Sequence, residues 1–376
     1  MMKKAFIYGV SVAGENFTDR VKETRRLKMD FENGQNVILL SARRMGKTSL
    51  VQKVASEVDS AAVKVVYMDI YDCRNDRDFY QKFATEVLRA AASRSEQLLE
   101  YVKQFLSSLV PKVSFSPTPD TDFSFSLGLN LKDLDDPTEI LNLPERIAQQ
   151  TGKHIVVCID EFQQIGEMPD SLTIQKRLRS VWQLQQNVSY CLFGSKKHML
   201  LRLFKDRRKP FYQFGDTMEL GPIATEDWVP FIRQKFEVRG IAITDEQAAR
   251  ICTLVRNYSS YVQQLAWNVM LNCDEVVTDA DIDEAMNETI RQNITLYQEQ
   301  IKDLSSYQMN FLRAICNGIH SGFTAKDILE RFSLGAKSNV NRLHTSLIEK
   351  ELIESVDGEL YFMDPVLGVW FEKNYI

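Results

Sequence analysis

The 376 residues, 44% hydrophobic and 26% charged, are long for one domain and carry enough apolar matter for two or three cores. A formal net charge of −5 excludes a chain drawn onto nucleic acid by its overall field, so any such contact needs a local basic patch. The cysteines (Cys73, Cys158, Cys191, Cys252, Cys273, Cys316) form no Cys-x-x-Cys pair, and no metal-ligand spacing joins them to His154, His198, His320 or His344, which argues against zinc and for small buried thiols in a reducing compartment.

Lys3-Lys4 followed by Ala5 to Gly14 loosely imitates a signal peptide. The run is short, is broken by Tyr8 and Gly9, and leads into Glu15-Asn16 without a small-residue cleavage site. No segment approaches the ~20 apolar residues of a membrane helix, so the reading is cytoplasmic with no membrane contact. Val37–Ser41, Val63–Ile70, His154–Asp160 and Val188–Gly194 are short apolar runs with little alternation, the pattern of strands covered on both faces. Helical stretches separate them at Thr48–Val58, Asp78–Leu106, Thr138–Gln150 and Leu172–Gln186. Alternating strands and helices predict a parallel α/β sheet with right-handed crossovers, and Thr217–Leu220 offers a fifth strand.

Val113–Leu131 alternates apolar and polar residues around Pro117-Thr118-Pro119-Asp120, which predicts a β-hairpin inserted near 111–133. Beyond Thr225 the strand signal stops. Helices are expected at Thr225–Arg239, Asp245–Asn257, Tyr261–Leu271 and Asp279–Ile301, a helical lid over 223–302. In 303–376 three helical patterns precede Leu352–Phe362, which holds an Asp357-Gly358 turn; helices followed by a hairpin describe a winged helix-turn-helix. The α/β core is thus expected over 1–222.

The chemistry concentrates in Ser41-Ala42-Arg43-Arg44-Met45-Gly46-Lys47-Thr48-Ser49, which follows an apolar strand and opens a helix, the context a P-loop requires. Its backbone N–H groups and the helix N-terminus suit a β-phosphate, Lys47 would bridge β- and γ-phosphate oxygens, and the Thr48 hydroxyl would ligate Mg²⁺. The usual opening glycine is Ser41, which lacks glycine's conformational range. Ile155–Asp160 ends in Asp160-Glu161 and fits a Walker B strand: Asp160 for Mg²⁺, Glu161 to orient the attacking water. Gly194-Ser195 ends another strand, where Ser195 would sense a γ-phosphate or simply make a turn. Arg207, Arg208 and Lys209, with Arg202 and Lys205, read as a solvated basic loop more readily than as a source of transition-state charge.

Together these residues resemble the prokaryotic (archaeal-type) ATPase family, in the STAND branch of the AAA-like P-loop ATPases. Phe17-Thr18-Asp19-Arg20-Val21-Lys22-Glu23 is similar to the family's Phe-x-x-Arg-x-x-Glu segment. Arg43–Ser49 looks like its P-loop, Ile159-Asp160-Glu161-Phe162-Gln163 its Walker B, Phe193-Gly194-Ser195 its sensor, and Asp364-Pro365 with Trp370 the end of its winged helix. The resemblance implies an AAA-like core, a lid, a winged helix, and ATP rather than GTP, with Phe17 and Arg20 near the nucleotide base. Two departures stand out. Asp216 occupies a position where the family commonly has arginine, and Tyr258-Ser259-Ser260-Tyr261 replaces a Gly-x-Pro-type lid motif, which predicts slow hydrolysis.

For a partner, the helix Ala336–Lys350 offers Lys337, Asn339, Asn341, Arg342 and His344 to DNA. Yet Asp303–Ile376 holds seven Lys and Arg against ten Asp and Glu, a balance of −3, which favours protein docking or packing on the lid. The expectation is an ATP/ADP-driven switch ATPase; the alternative is a DNA-binding regulator whose ATP site is incidental. The sequence leaves the oligomeric state open.

Overall fold

The computed structural model describes residues 5–92, 115–117, 125–127 and 137–376. They fall into two compact units: Arg20–Gly221, and residues 1–19 with Pro222–Ile376. The first residues of the chain, expected with the α/β core, cluster instead with the C-terminal part.

In the first unit, β1 (Val37–Leu40), β2 (Val63–Asp69), β5 (His154–Asp160), β6 (Val188–Phe193) and β7 (Asp216–Glu219) form one sheet in the order β2-β5-β6-β1-β7. Every pairing is parallel. β1 and β6 are buried along their whole length and β5 after its first residue, which is why these runs show no polar alternation. Cys158 and Cys191 are register partners at the sheet centre and fully buried. Below them Trp182 stacks on Tyr190 at 4.0 Å and meets Phe162, Phe211 and Phe214, an aromatic block that fixes β5 and β6 against the helix Ser171–Trp182. Of the inserted hairpin, β3 (Phe115–Pro117) and β4 (Phe125–Leu127) pair antiparallel, Phe115 facing Leu127. The rest of 111–133, and the expected helix beyond Ala92, lie outside the described residues.

The structure refines two helices. Thr138–Gln150 is Thr138–Leu141 and Leu143–Thr151, with Pro144 in the first turn of the second, where its missing N–H costs nothing. Asp279–Ile301 breaks into Asp279–Arg291 and Ile294–Ile301, because the Asn293 side chain bonds back to the Thr289 carbonyl at 2.8 Å and caps the first piece.

The second unit is helical and opens with chain segments that pack on it. Phe6 contacts Phe231 and Phe236, and the Ile7 N–H donates to Gln263. Three of its helices begin at capping boxes, Thr244 with Gln247, Thr278 with Asp281 and Ser305 with Gln308. At its end the helices Ser306–Cys316, Lys326–Arg331 and Lys337–Glu349 precede β8 (Ile353–Val356) and β9 (Glu359–Phe362). Asp357 and Gly358 both adopt positive φ in the two-residue turn between these strands, so the Asp-Gly pair supplies the backbone a tight hairpin needs. Asp364 caps the last helix, Pro365–Tyr375, accepting from Val366 and Leu367 N–H groups. Among the described residues no helix is long and apolar enough to cross a membrane.

Candidate functional site

β6 lies between β1 and β5, so the C-terminal ends of three adjacent strands deliver Ser41–Ser49, Asp160-Glu161 and Gly194-Ser195 to one rim of the sheet. That is where open α/β sheets place ligands. The helix Lys47–Glu57 starts there behind Gly46, which has no side chain to cap it, and a helix N-terminus suits an anion. Arg44 and Gly46 take left-handed φ of 66° and 89°, turning the loop sharply. Ser41 is not among the positive-φ residues and is almost fully buried, with its hydroxyl donating to the Ala42 carbonyl at 3.0 Å. Glycine's special conformations are therefore not needed at that position, and serine serves.

Lys47 is buried, its ammonium donating to the Ala42 carbonyl at 2.7 Å. Burial pulls its pKa down to about 8, while the charges of Asp160 and Glu161 act to raise it. An ammonium so poorly hydrated binds an added anion strongly.

Asp160 is held by three donors. Oδ2 accepts from the Thr48 hydroxyl at 2.9 Å and the Tyr67 hydroxyl at 3.0 Å, and Oδ1 from the Glu161 N–H at 2.9 Å. Burial raises the pKa of Asp160, and these hydrogen bonds oppose the rise. Burial and the neighbouring carboxylate push the Tyr67 phenol far up, so it remains a donor. A hydroxyl beside a carboxylate, oxygen ligands only, suits a hard cation such as Mg²⁺.

Glu161 sits at a left-handed φ of 56°, which aims its side chain back over the strand ends. Its Oε2 accepts from the Ser195 hydroxyl at 3.0 Å and from the Gln163 carboxamide. Gln163 is buried, with Oε1 left without a partner. Gly194 allows this packing: a Cβ there would lie 1.9 Å from Gln163 Oε1.

Arg20, also at positive φ and buried, donates to the Met45 carbonyl at 3.1 Å and pairs with Glu23, so it braces the P-loop from outside. Phe17 falls in the other unit. Arg208 pairs with Asp206 of its own exposed loop, and Asp216 with Arg26. The strand-end constellation of Lys47, Thr48, Asp160, Glu161 and Ser195 was readable from motifs. Tyr67, Gln163 and the close approach at Gly194 were not, since they arrive from a neighbouring strand or carry no motif of their own.

The sheet order, the P-loop and the terminal winged helix define a P-loop ATPase fold with a C-terminal winged-helix domain. Residues 17–237 match the family described as an ATPase domain predominantly from Archaea, and residues 295–373 match a family described as a probable winged helix domain. The chain belongs to that archaeal-type ATPase family. The Walker-type ATPase paby2304 of Pyrococcus abyssi is similar in structure at 18% identity, with a TM-score of 0.68 over 98% of this chain and 99% of its own. The ORC2 protein of Aeropyrum pernix, in ADPNP-ADP complexes, is similar at 14% identity, with a TM-score of 0.55 over 96% of this chain and 95% of its own. No curated protein matches the sequence.

Proposed function

We propose that the chain binds Mg-ATP at Ser41–Ser49 and slowly hydrolyses its β–γ phosphoanhydride bond, driving a conformational switch read by a protein or DNA partner. The observation that supports this best is the meeting of the uncapped helix start at Lys47, the Thr48–Asp160 contact of 2.9 Å and the Glu161–Ser195 contact of 3.0 Å on one rim. The loop N–H groups and Lys47 would take the phosphates, and Thr48 and Asp160 would hold Mg²⁺. When bound, the ion neutralises charge on the phosphate oxygens. Glu161 would orient the attacking water, and Ser195 would turn its hydroxyl from Glu161 to the γ-phosphate. The nucleotide complexes of the Aeropyrum pernix ORC2 protein, on a similar fold, accord with this reading.

The partner reading rests on the second unit. The wing exposes Asp357 and Glu359, and the helix Lys337–Glu349 exposes Lys337, Asn341 and Arg342. The acidic wing favours a protein partner; the basic side chains of the helix are what support the DNA-binding alternative.

Thermal unfolding with Mg-ATP or Mg-GTP tests the site, because a ligand that binds only the folded state raises the midpoint. The midpoint is expected to rise with ATP in wild type and in Glu161→Gln, and not in Lys47→Ala. Glu161→Gln should lose hydrolysis. No rise in wild type freed of carried-over nucleotide refutes the proposal.

A further inference from the structure

The Thr48 hydroxyl and the Asp160 carboxylate are the pair a motif reader assigns to the metal. The structure adds a third side chain from outside both motifs. Tyr67 lies on β2, the edge strand beside β5, two residues before the position paired with Asp160. Its ring is half-buried against Phe193, with centroids 6.4 Å apart. From there its hydroxyl reaches Asp160 Oδ2 at 3.0 Å, the same oxygen that Thr48 meets at 2.9 Å.

We infer that Tyr67 is a positioning residue for Asp160 and thereby sets how tightly the site holds a divalent cation. This rests on the Mg-ATP reading above. A threonine that gives its oxygen to a cation has the direction of its proton set by that cation. The Tyr67 hydroxyl also neighbours Thr48 but is not itself a ligand in that reading; the sheet fixes its backbone and Phe193 packs on its ring. It is the side-chain donor that stays aimed at Asp160 whichever way Thr48 turns. Hydrogen bonds to ligating carboxylates orient them, and their loss costs roughly 10–100-fold in metal affinity or activity. Without the two hydroxyls on Oδ2, the carboxylate would keep the Glu161 N–H on Oδ1, at 2.9 Å, as its remaining hydrogen bond.

The test uses the full chain with ADP and Mn²⁺, free Mn²⁺ being counted by electron paramagnetic resonance, so metal binding is read without turnover. Tyr67→Phe keeps the ring and removes the donor. Its Mn²⁺ dissociation constant is expected to rise about ten-fold or more, while ADP binding in chelator stays near that of wild type. In hydrolysis assays the loss should fall on the half-saturating Mg²⁺ concentration, and excess Mg²⁺ should recover it. Unchanged Mn²⁺ affinity in Tyr67→Phe overturns the inference. So does a joint fall of the ligand-free unfolding midpoint and of ADP binding in chelator, which assigns Tyr67 to the fold. Thr48→Ala separates the two levels. If it too leaves Mn²⁺ affinity unchanged, the metal reading of the site fails; if it alone weakens binding, only the role of Tyr67 is rejected.

Discussion

Ser195 donates its hydroxyl to Glu161 Oε2 at 3.0 Å, so the side chain suited to a γ-phosphate and the carboxylate suited to a water are tied to each other. A ligand that takes the serine hydroxyl leaves Glu161 to the Gln163 carboxamide and to the Ser195 N–H, which donates to Oε2 at 3.4 Å. Gln163 can hold it only because Gly194 has no Cβ, which would lie 1.9 Å from Gln163 Oε1. Gly194→Ala should therefore push the carboxamide off Glu161. Misplacing a catalytic group by about 1 Å costs up to about a hundred-fold in rate, and overpacking a tight site costs about 1–3 kcal/mol of stability. The expected result is hydrolysis reduced far more than ATP affinity. Unaltered hydrolysis would show that Gln163 does not aim Glu161.

The segment that departs from the family's lid motif is occupied elsewhere in its own unit. Tyr258 donates to Glu354 and Tyr261 to Asp364, both in the winged helix. Beside them Arg256, at a positive φ of 49°, donates to the Phe362 carbonyl at 2.8 Å and lies 4.2 Å from the Tyr361 ring centroid. Arg256→Ala removes a hydrogen bond from a charged donor, cation–π contacts with Tyr361 and Tyr258 and an ion pair with Glu354 at 3.8 Å, a loss of about 2 kcal/mol. Amide hydrogen exchange across Ile353–Phe362 should speed up in this variant. Exchange no faster than in wild type would mean that the tyrosines hold the wing without the arginine.

Most of the sheet could be read in advance, since strands buried on both faces appear as unbroken apolar runs; Val37–Leu40 and Ile155–Ile159 show this plainly. Asp160 and Glu161 were equally legible, because they close an apolar run, and the structure sets them at the end of β5. What escaped were relations set by tertiary neighbours. Tyr67 looks like any strand tyrosine until β2 is laid beside β5. The resemblance sets Arg20 near the nucleotide base, and nothing in the sequence says that its guanidinium meets the Met45 carbonyl. The break at Asn293 hid inside a continuous helical pattern, because a side chain that bonds its own backbone leaves the apolar period intact.

His154, the first residue of β5, gives a pH dependence of stability. Burial lowers its pKa, the charge of Glu145 acts weakly the other way, and Nε2 meets the Ser189 hydroxyl at 2.9 Å. Below the ordinary histidine value of about 6.5, the unfolded chain takes up a proton that the folded chain resists. Folding stability must then fall as pH drops through that range, by at most about 1.4 kcal/mol per pH unit for one proton. His154→Gln keeps a polar partner for Ser189 and removes the titration. Denaturant unfolding at about pH 7.5 and about pH 5.5 should show a smaller loss in the variant than in wild type. Equal losses would place the acid sensitivity in other groups, such as His344, whose pKa burial also lowers.

Charge decides how strongly the winged helix could meet DNA. Arg342 is exposed on the helix Lys337–Glu349 but donates to Asn339, which itself donates to the Leu334 carbonyl. Two of the side chains suited to base edges are thus engaged with their own helix and the turn before it. Phosphate contacts carry most DNA affinity and weaken with salt in proportion to the charges neutralised. With Lys337 and Arg342 as the exposed cations of this helix, duplex binding should be weak at low salt and absent at about 0.15 M, with a shallow salt dependence of about two charges. Arg342→Ala should abolish what remains. A shift that persists at moderate salt with a steep slope would mean that further basic groups reach the duplex, and would move the partner reading from protein to DNA.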